Sequence, residues 1–502
     1  QSLLAEEDLD LDDRLTIEDL RHASAGFMQK LHGKHGLVSL ALEEGEDGTF
    51  QGVPFVVPGG RFNEMYGWDS YFISLGLLED GKADLAKSMK DNFIYQLTHY
   101  GKILNANRSY YFNRSQPPFT SSLILEVYEA LPRSPENLAW LQRGLEAAMN
   151  EYHEVWMAAP RLGPTGLSHY GGESVGEPIE TEEGHFDWLY DELAAERGIS
   201  VDELREQYAK GTLVVPELDN FFRHDCAVRE SGHDTTSRWR VDGVDRCADF
   251  APVDLNSLLY KTEMDFATAL EEHFGGSFVR SDGKVEAASD WLERAAKRKT
   301  IMMELLWDEA EGCFFDFDTK AQVRHPYMSA TALYPLWASR PDDMLGGILN
   351  EKQASRLVAR VLPELEVAGG LCSTSEASVL NAGVAPGDRQ WDFPQGWAPH
   401  QLIAWKGLAQ YGMNSDAERL AYRWMYTIAS NIVKYNGTVP EKYDVVNRTH
   451  AVMSEYGNVG TDFRYITREG FGWMNASFQI GKRYIGEKKA LLNRLVEPEL
   501  LS

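Results

Sequence analysis

Apolar side chains recur at helical spacing along most of this 502-residue chain, and no linker interrupts the pattern. Leu420, Trp424, Ile428 and Ile432 show it most clearly, because they follow one another every four residues. The same pattern predicts helices over Leu258–Phe274, Ala86–Leu97, Leu123–Leu131, Leu138–Trp156 and Met303–Trp307. Short alternating segments predict edge hairpins at Val53–Val57 and Phe314–Phe317. The sequence therefore predicts an all-α fold, and about twelve helices in one domain would suit hairpins closed into a toroid.

Glycine and proline are concentrated near residues 58–60, 160–178 and 381–399, with helical patterns on either side. This distribution is typical of one helical domain with long functional loops. We expect an acidic extension and lead-in helix at residues 1–34, the domain itself at 35–490, and a short tail at 491–502.

The net charge of −28 limits the partners of the chain. Binding to a phosphate backbone needs a basic footprint, so nucleic acid is not expected. An anionic membrane surface is disfavoured for the same reason, and no apolar run approaches the length of a membrane span. A neutral or cationic small molecule is the partner that the charge favours. The sequence does not define an oligomeric state, and a monomer is slightly favoured.

Four cysteines are too few to form a disulfide framework in a chain of this length, and none belongs to a CxxC pair. Reduced thiols favour the cytoplasm. So do five N-x-S/T sequons, since a glycan on those in the candidate site segments would block the site. The first residues show no signal peptide. Gln1 is not an initiator methionine, so a periplasmic or secreted protein with a removed signal peptide stays the alternative.

Three segments combine residues suited to sugar chemistry. PGGRFNEMYGWDSYF at 58–72 places a cation, Arg61, close to Trp68 and Asp69. QWDFPQGWAPHQ at 390–401 contains two prolines that forbid a regular helix, so this loop either plugs a cavity or lines one. RESGHDTTSRW at 229–239 surrounds a Ser-Gly turn with charges. The structural alternative is that these rings and charges serve packing, with Ser231 and Asp234 forming a helix-capping box.

The acidic N-terminus partly matches a calcium loop. Asp8, Asp10 and Asp12 occupy positions one, three and five, and Asp19 occupies position twelve. Asp13 stands where the turn requires glycine, so a solvated acidic segment is the favoured reading. We therefore expect no cofactor, with a regulatory Ca²⁺ as the alternative.

The first two segments resemble the signature sequences of the trehalases, glycoside hydrolase family 37. Further stretches fit the same family, namely LNANRSYYFNRSQPPF, VRESGHDTTSRW, VPEKYDV and EGFGWMNAS. The sequences of these segments most resemble those of the neutral, cytosolic trehalases of fungi. The resemblance implies an (α/α)6 toroid with long active-site loops and minor β hairpins.

The resemblance also implies an activity, the hydrolysis of α,α-trehalose to two glucose molecules with inversion. It assigns Asp234 as the general acid and Glu441 as the general base. Because an acid must carry its proton, Asp234 should have a raised pKa. The substrate-binding residues implied by resemblance are Arg61, Trp68, Asp69, Asn105, Arg114, Gln116, Glu180, Arg229, Gly232 and Trp391.

Two other classes of function stay open at this point. One is a trehalose phosphorylase or another α-glucosidase built on the same barrel. The other is a catalytically silent protein that binds trehalose as a sensor. The presence of both expected carboxyl groups argues against the silent protein.

Overall fold

The computed structural model describes residues 35–60, 62–173, 176–181, 184–437, 439–452 and 470–501. The predicted N-terminal extension and its calcium loop at Asp8, Asp10, Asp12 and Asp19 lie outside the described residues. So does Arg61.

Helices dominate the described part of the chain, as the sequence predicted. They are α1 (Gly67–Glu79), α2 (Ala83–Tyr100), α3 (Thr120–Ala130), α4 (Pro135–Glu151), α5 (Asp187–Arg197), α6 (Val201–Ala209), α7 (Pro216–Glu230), α8 (Val253–Phe274), α9 (Ala288–Leu305), α10 (Tyr334–Ala338), α11 (Glu351–Leu365), α12 (Glu376–Asn381), α13 (Ala398–Gln410), α14 (Asn414–Lys434), α15 (Gly472–Tyr484) and α16 (Lys489–Leu492).

Six of these helices form a closed ring. Helix α1 packs against α3, and the sequence of neighbours continues through α8, α10, α13 and α15 back to α1. A second layer surrounds the ring, because α2, α4, α9 and α14 each pack against the ring helix that precedes them, and α11 packs against the 3-10 turn that leads into α10. This arrangement is the predicted (α/α)6 toroid.

The two layers differ in burial as their positions require. Helix α8 in the ring is buried on nearly every side, and even Asp254 and Glu263 are almost inaccessible to solvent. Helix α11 in the second layer buries only one face, formed by residues such as Leu357, Val361 and Leu365. A helix with one apolar face is the expected covering for a ring whose own helices are enclosed.

The strands in the described part of the chain are short. They are β1 (Leu42–Glu44), β2 (Phe50–Gly52), β3 (Arg240–Val241), β4 (Val244–Asp245), β5 (Phe250–Ala251), β6 (Ser277–Val279), β7 (Val285–Ala287), β8 (Trp307–Asp308), β9 (Cys313–Phe314), β10 (Asp316–Asp318), β11 (Val323–His325), β12 (Glu366–Val367), β13 (Gly370–Leu371), β14 (Gln395–Gly396) and β15 (Tyr443–Asp444). Twelve of these described strands form two-stranded hairpins or pairs, and β5, β10 and β11 form one three-stranded sheet.

Most local predictions hold, with two corrections. The strand predicted at Val53–Val57 is wrong, because the paired residues are Phe50–Gly52 and the chain leaves the hairpin at Val53. The helix predicted to reach Trp307 ends at Leu305, where Trp307 begins a strand paired with Phe314. In both places a neighbouring segment supplied hydrogen bonds that local periodicity does not reveal.

An insertion between the second and third ring helices has a core of its own. Helices α5, α6 and α7 bury Phe186, Tyr190, Leu204, Leu218 and Phe222 against one another, separate from the main core. The end of α7 leads directly into the SGHDTT turn. The insertion therefore has a separate hydrophobic core and borders the candidate site.

The four cysteines are free and buried, in agreement with the prediction of reduced thiols. None of the described helices combines the length and the apolar character that crossing a bilayer requires.

Candidate active site

A cavity of about 260 Å³ opens at the end of the toroid where the ring helices begin. Its walls come mainly from the loops that precede these helices and from the insertion. The lining residues are Phe62, Glu64, Tyr66, Trp68, Asp69, Asn105, Tyr110, Tyr111, Arg114, Gln116, Glu180, His185, Arg229, Gly232, Asp234, Gln390, Trp391, Trp397, Glu441, Phe471 and Trp473.

The first turn of α1 contributes an aromatic ring and a carboxyl group. Trp68 and Asp69 are both buried there. The side-chain oxygen of Gln116 accepts a hydrogen bond of 2.8 Å from the backbone N–H of Trp68. This bond satisfies one of the free N–H groups at the start of the helix, so Gln116 joins the loop before α3 to the turn that carries Asp69.

Two arginines and one glutamate form a charged wall. Arg114 contacts Glu180 at 2.5 Å, and Arg229 lies 3.7 Å from the same carboxylate. Burial by itself would raise the pKa of Glu180, but the two guanidinium groups outweigh this effect and lower it. The Arg229 side chain also donates to Asp225 at 2.7 Å. These planar groups can each hold a pair of neighbouring hydroxyls.

Buried Glu230 fixes the loop that carries Arg114. Its carboxylate accepts hydrogen bonds of 2.8 Å from the backbone N–H groups of Ser115 and Gly171, and it pairs with Arg161. Breaking a buried pair of this kind is strongly destabilising. The position of the charged wall therefore depends on Glu230, which follows Arg229 in the sequence.

Asp234 follows the end of α7 in a tight turn. Gly232 within this turn has φ +75°, and a Cβ atom built there would lie 2.7 Å from the indole of Trp68. Ser231 closes α7, and its hydroxyl donates to the carbonyl of Val228. The capping-box alternative for Ser231 and Asp234 is therefore wrong, because no helix begins at this turn.

The carboxyl group of Asp234 is partly buried in the cavity wall, and this burial governs its protonation. Burial raises the pKa of Asp234 to about 7, while the Arg229 guanidinium acts in the opposite direction. Asp225 adds a smaller repulsive contribution that also raises the pKa. The direction agrees with the expectation for a general acid.

Asp69 lies near both of the other carboxyl groups. Its pKa is raised well above the ordinary value, first by burial and then by the negative charges of Glu441 and Asp234. Asp69, Asp234 and Glu441 therefore share one cavity, and the charges of the last two raise the pKa of Asp69. Such a cluster favours keeping protons on some of its members at neutral pH.

Glu441 reaches the cavity from the loop that precedes β15. Its backbone carbonyl accepts a hydrogen bond of 3.0 Å from the indole N–H of Trp473. The Nζ atom of Lys442 lies 3.4 Å from Oε2 of Glu441, so the two side chains form an ion pair. About a fifth of the Glu441 side chain is exposed.

Trp391 and Trp397 stack face to face, with ring centroids 3.9 Å apart and an interplanar angle of 4°. The QWDFPQGW loop that contains them lines the cavity, which decides between the two roles predicted for it. Rings of this kind provide flat apolar surfaces and exclude water from a site.

Every candidate site residue that the structure describes lines this one cavity, although these residues come from six separate stretches of the chain. The sequence analysis did not single out Tyr110, Tyr111, His185 or Gln390, which line it too. The two tyrosines and Gln390 belong to segments quoted for their resemblance, whereas nothing near His185 marks it in the sequence. In the described part of the chain, no group of three or more His, Cys, Asp or Glu side chains is arranged to hold a metal ion.

A trehalase family profile matches residues 7–485 of the sequence. This chain belongs to the trehalase family. It is 46% identical to a probable trehalase of Saccharomyces cerevisiae over 485 residues, which cover 94% of this chain and 60% of that protein. It is also 46% identical to a cytosolic neutral trehalase of Emericella nidulans over 496 residues, covering 95% of this chain and 64% of that one. The chain thus spans less than two thirds of the length of these curated relatives.

Solved structures give the same picture of the trehalase fold. A neutral trehalase from Saccharomyces cerevisiae superposes with a TM-score of 0.84 at 41% identity, covering 95% of this chain and 83% of that one. A family 63 mannosylglycerate hydrolase from Thermus thermophilus reaches a TM-score of 0.52 at 15% identity, covering 86% of this chain and 96% of that one. The second likeness concerns the fold alone.

Proposed function

We propose that this chain hydrolyses α,α-trehalose to two glucose molecules with inversion at one anomeric carbon. Asp234 is the general acid and Glu441 is the general base. The observation that carries the proposal is a partly buried carboxyl group, with its pKa raised to about 7, in the same cavity as a second carboxylate paired with a lysine.

The acid step begins with the proton of Asp234. This proton passes to the glycosidic oxygen as the bond to the anomeric carbon breaks, so the leaving glucose departs as a neutral molecule. Burial supports this role, because it keeps the carboxyl group protonated near neutral pH. The neighbouring Arg229 then stabilises the carboxylate that remains.

The base step uses one water molecule on the opposite face of the sugar ring. Glu441 takes a proton from this water as its oxygen attacks the anomeric carbon. Inverting enzymes separate their two carboxyl groups by about 6.5–9.5 Å to accommodate the water. The ion pair with Lys442 supports this role, because it holds the carboxylate of Glu441 in place at the cavity.

Recognition of the sugar rests on the charged wall and the aromatic rings. Arg114, Glu180 and Arg229 offer paired donors and acceptors to hydroxyl groups, and the other candidate binding residues are Asp69, Asn105, Gln116, Gly232, Trp68 and Trp391. A disaccharide that lacks a matching hydroxyl leaves one of these buried groups unpaired, which costs binding energy. The predicted role of Arg61 stays part of this proposal.

Anomer-resolved NMR of the first products tests the proposal. Trehalose should give one α-glucose and one β-glucose before mutarotation, whereas two α anomers would contradict inversion. Strict dependence on phosphate would indicate a phosphorylase, and hydrolysis of maltose or kojibiose instead of trehalose would indicate another α-glucosidase. Binding of trehalose without turnover would indicate a sensor.

Further proposals concern location, cofactors and assembly. A cytosolic protein is supported by the names of the relatives, which are cytosolic neutral trehalases. The two carboxyl groups and water suffice for the reaction, so we propose that no cofactor takes part. Glucose release with and without EDTA tests this point together with the predicted calcium loop. Size-exclusion chromatography tests the preference for a monomer.

A further inference from the structure

The two candidate catalytic residues are joined by a chain of buried polar contacts. The side-chain amide N–H of Gln390 donates to the backbone carbonyl of Asp234, and the amide oxygen of Gln390 accepts a hydrogen bond of 3.1 Å from Lys442. The same ammonium lies 3.4 Å from the carboxylate of Glu441. The side chains of Gln390 and Lys442 thus connect the loop of Asp234 to the carboxylate of Glu441.

Elementary chemistry fixes the direction of each contact. A lysine ammonium can only donate, so the atom of Gln390 that faces Lys442 must be the amide oxygen. The amide nitrogen then faces the carbonyl of Asp234, which can only accept. The link therefore has one self-consistent orientation.

Lys442 is buried, so its ammonium group needs hydrogen-bonding and charged partners within the protein. Its side chain is 2% exposed, and its ammonium lies 5.0 Å from the centre of the Trp397 ring. A buried charge is costly unless it is paired and hydrogen-bonded, and Glu441, Gln390 and the face of Trp397 supply those interactions. The neighbours in sequence, Glu441 and Lys442, are thereby held on the same side of the chain.

The loop that carries Gln390 also anchors both catalytic segments through a neighbouring side chain and through its backbone. Asp392 accepts hydrogen bonds of 2.6 Å from the hydroxyls of Thr236 and Ser237, just beyond Asp234. Strand β14 of the same loop pairs with β15, just beyond Glu441. Gln390 therefore extends from a rigid frame, which is a condition for a side chain to set the position of another.

We propose that Lys442 and Gln390 are positioning residues that hold Glu441 at a fixed place relative to Asp234. This inference rests on the hydrolytic function proposed above. Lys442 directs the carboxylate of Glu441, and Gln390 transmits the position of the Asp234 loop to Lys442. Neither side chain takes part in the proton transfers.

Replacement of Lys442 gives the first test. Lys442→Met keeps the length of the side chain and removes the charge, and we expect kcat for trehalose to fall about 10- to 100-fold with KM changed by less than about threefold. Lys442→Arg keeps the charge and should recover a large part of kcat. Lys90→Met is the matched control, because Lys90 is fully buried and lies outside the cavity lining, and its kcat should stay within about twofold of wild type.

The pH dependence of kcat separates positioning from simple loss of structure. Among the described residues, Lys442 lies beside Glu441, and the charged side chains that line the cavity with it are Glu64, Asp69, Arg114, Glu180, Arg229 and Asp234. Lys442→Met takes a positive charge away from the carboxyl groups of this cavity, so the limbs of its profile should move to higher pH. The Lys90→Met profile should keep the wild-type limbs. Circular dichroism and the thermal midpoint give the folded fraction to which each kcat is normalised.

A double-mutant cycle tests the link itself. Gln390→Met removes both amide contacts, and we expect the double variant with Lys442→Met to lose little more activity than the worse single variant, because either change opens the same link. Losses that multiply would overturn the proposal, as would a Lys442→Met enzyme with wild-type kcat and pH limbs. If wild type releases no glucose from trehalose, the proposed function fails and this inference with it. An active wild type with unaffected variants refutes the link alone.

Discussion

Arg114 and Glu180 form an ion pair of 2.5 Å in the wall of the cavity, and this pair joins the loop before α3 to the stretch that leads into the insertion. Both side chains are almost inaccessible to solvent. Each holds the other in place while leaving further donors and acceptors for a sugar hydroxyl. The pair is therefore a point where substrate binding and local stability depend on the same contact.

Glu180→Gln should weaken the binding of trehalose. The amide carries no charge and loses one acceptor, so Arg114 keeps a weaker partner in a buried site. We expect a loss of about 2 kcal/mol, or roughly 30-fold in KM, measured by initial rates of glucose release. Glu177→Gln is the matched control, since Glu177 pairs with Arg205 in the insertion outside the cavity lining. An unchanged KM in Glu180→Gln would contradict a role in binding.

Asp234→Asn and Glu441→Gln should each abolish most of the activity while the protein stays folded. Each change removes one proton transfer but nearly preserves shape, so we expect kcat to fall by about 100- to 10,000-fold. Glucose release measures the loss, and circular dichroism verifies the fold. Asp282→Asn on the surface serves as the control. If either site variant kept more than about a tenth of the wild-type rate, its assigned role would be wrong.

The alkaline limb of the pH–rate profile should report Asp234. Since the pKa of Asp234 is raised to about 7, activity should decline above about pH 7 as the acid loses its proton. Asp225 repels that charge, so Asp225→Asn should move the alkaline limb to lower pH. The profile of kcat/KM for trehalose measures both effects. A limb that moves to higher pH in Asp225→Asn would contradict the assignment of Asp234 as the acid.

The same buried carboxyl group should make stability depend on pH. Its pKa is about 7 in the folded protein, against 3.8 for an ordinary aspartate, so its contribution is fully present below about pH 4 and is lost as the pH rises through 7. Asn at position 234 carries no such charge. Asp234→Asn should therefore gain up to about 4 kcal/mol over wild type at pH 8.5 and little at pH 4.5. Thermal midpoints of both proteins at the two pH values test this prediction. An equal difference between Asp234→Asn and wild type at both pH values would contradict it.

The sequence predicted a helical fold because periodic apolar residues mark helices directly, and the closed ring was implied by the family resemblance. Resemblance, and not periodicity, supplied the pairing of Asp234 with Glu441, which no local pattern connects. The link through Lys442 could not be predicted, because adjacent residues usually point apart and only the pairing of β14 with β15 brings Gln390 alongside. His185 was missed for a similar reason: the insertion places it at the cavity, and the residues around it carry no motif.

The strand at Phe50–Gly52 shows that the boundaries of an element are hard to predict from sequence. The residues at Val53–Val57 include more strand-forming side chains, yet the strand forms at Phe50–Gly52, which pairs with Leu42–Glu44. Pairing with a neighbouring segment can override local propensity, so boundaries are less predictable than the presence of an element.

Gly232 should tolerate no side chain. Its φ of +75° is unfavourable for an L-residue, and a Cβ atom would lie 2.7 Å from Cζ2 of Trp68, well inside van der Waals contact. Gly232→Ala should therefore displace either the ring of Trp68 or the turn before Asp234. We expect a loss of about 1–3 kcal/mol in stability and a fall of at least about tenfold in kcat/KM.

Gly198→Ala separates the cost of the positive φ from the cost of the clash with Trp68 in the Gly232→Ala variant. Gly198 has a similar φ of +66°, but a Cβ atom there meets nothing within 4 Å. It should therefore show the backbone cost alone, about 1 kcal/mol, with unchanged kcat/KM. The excess loss in Gly232→Ala, measured by thermal midpoint and glucose release, then reports the contact with Trp68. Equal losses of stability in the two variants, with kcat/KM unchanged in both, would show that the close approach of Gly232 to Trp68 does not govern the site.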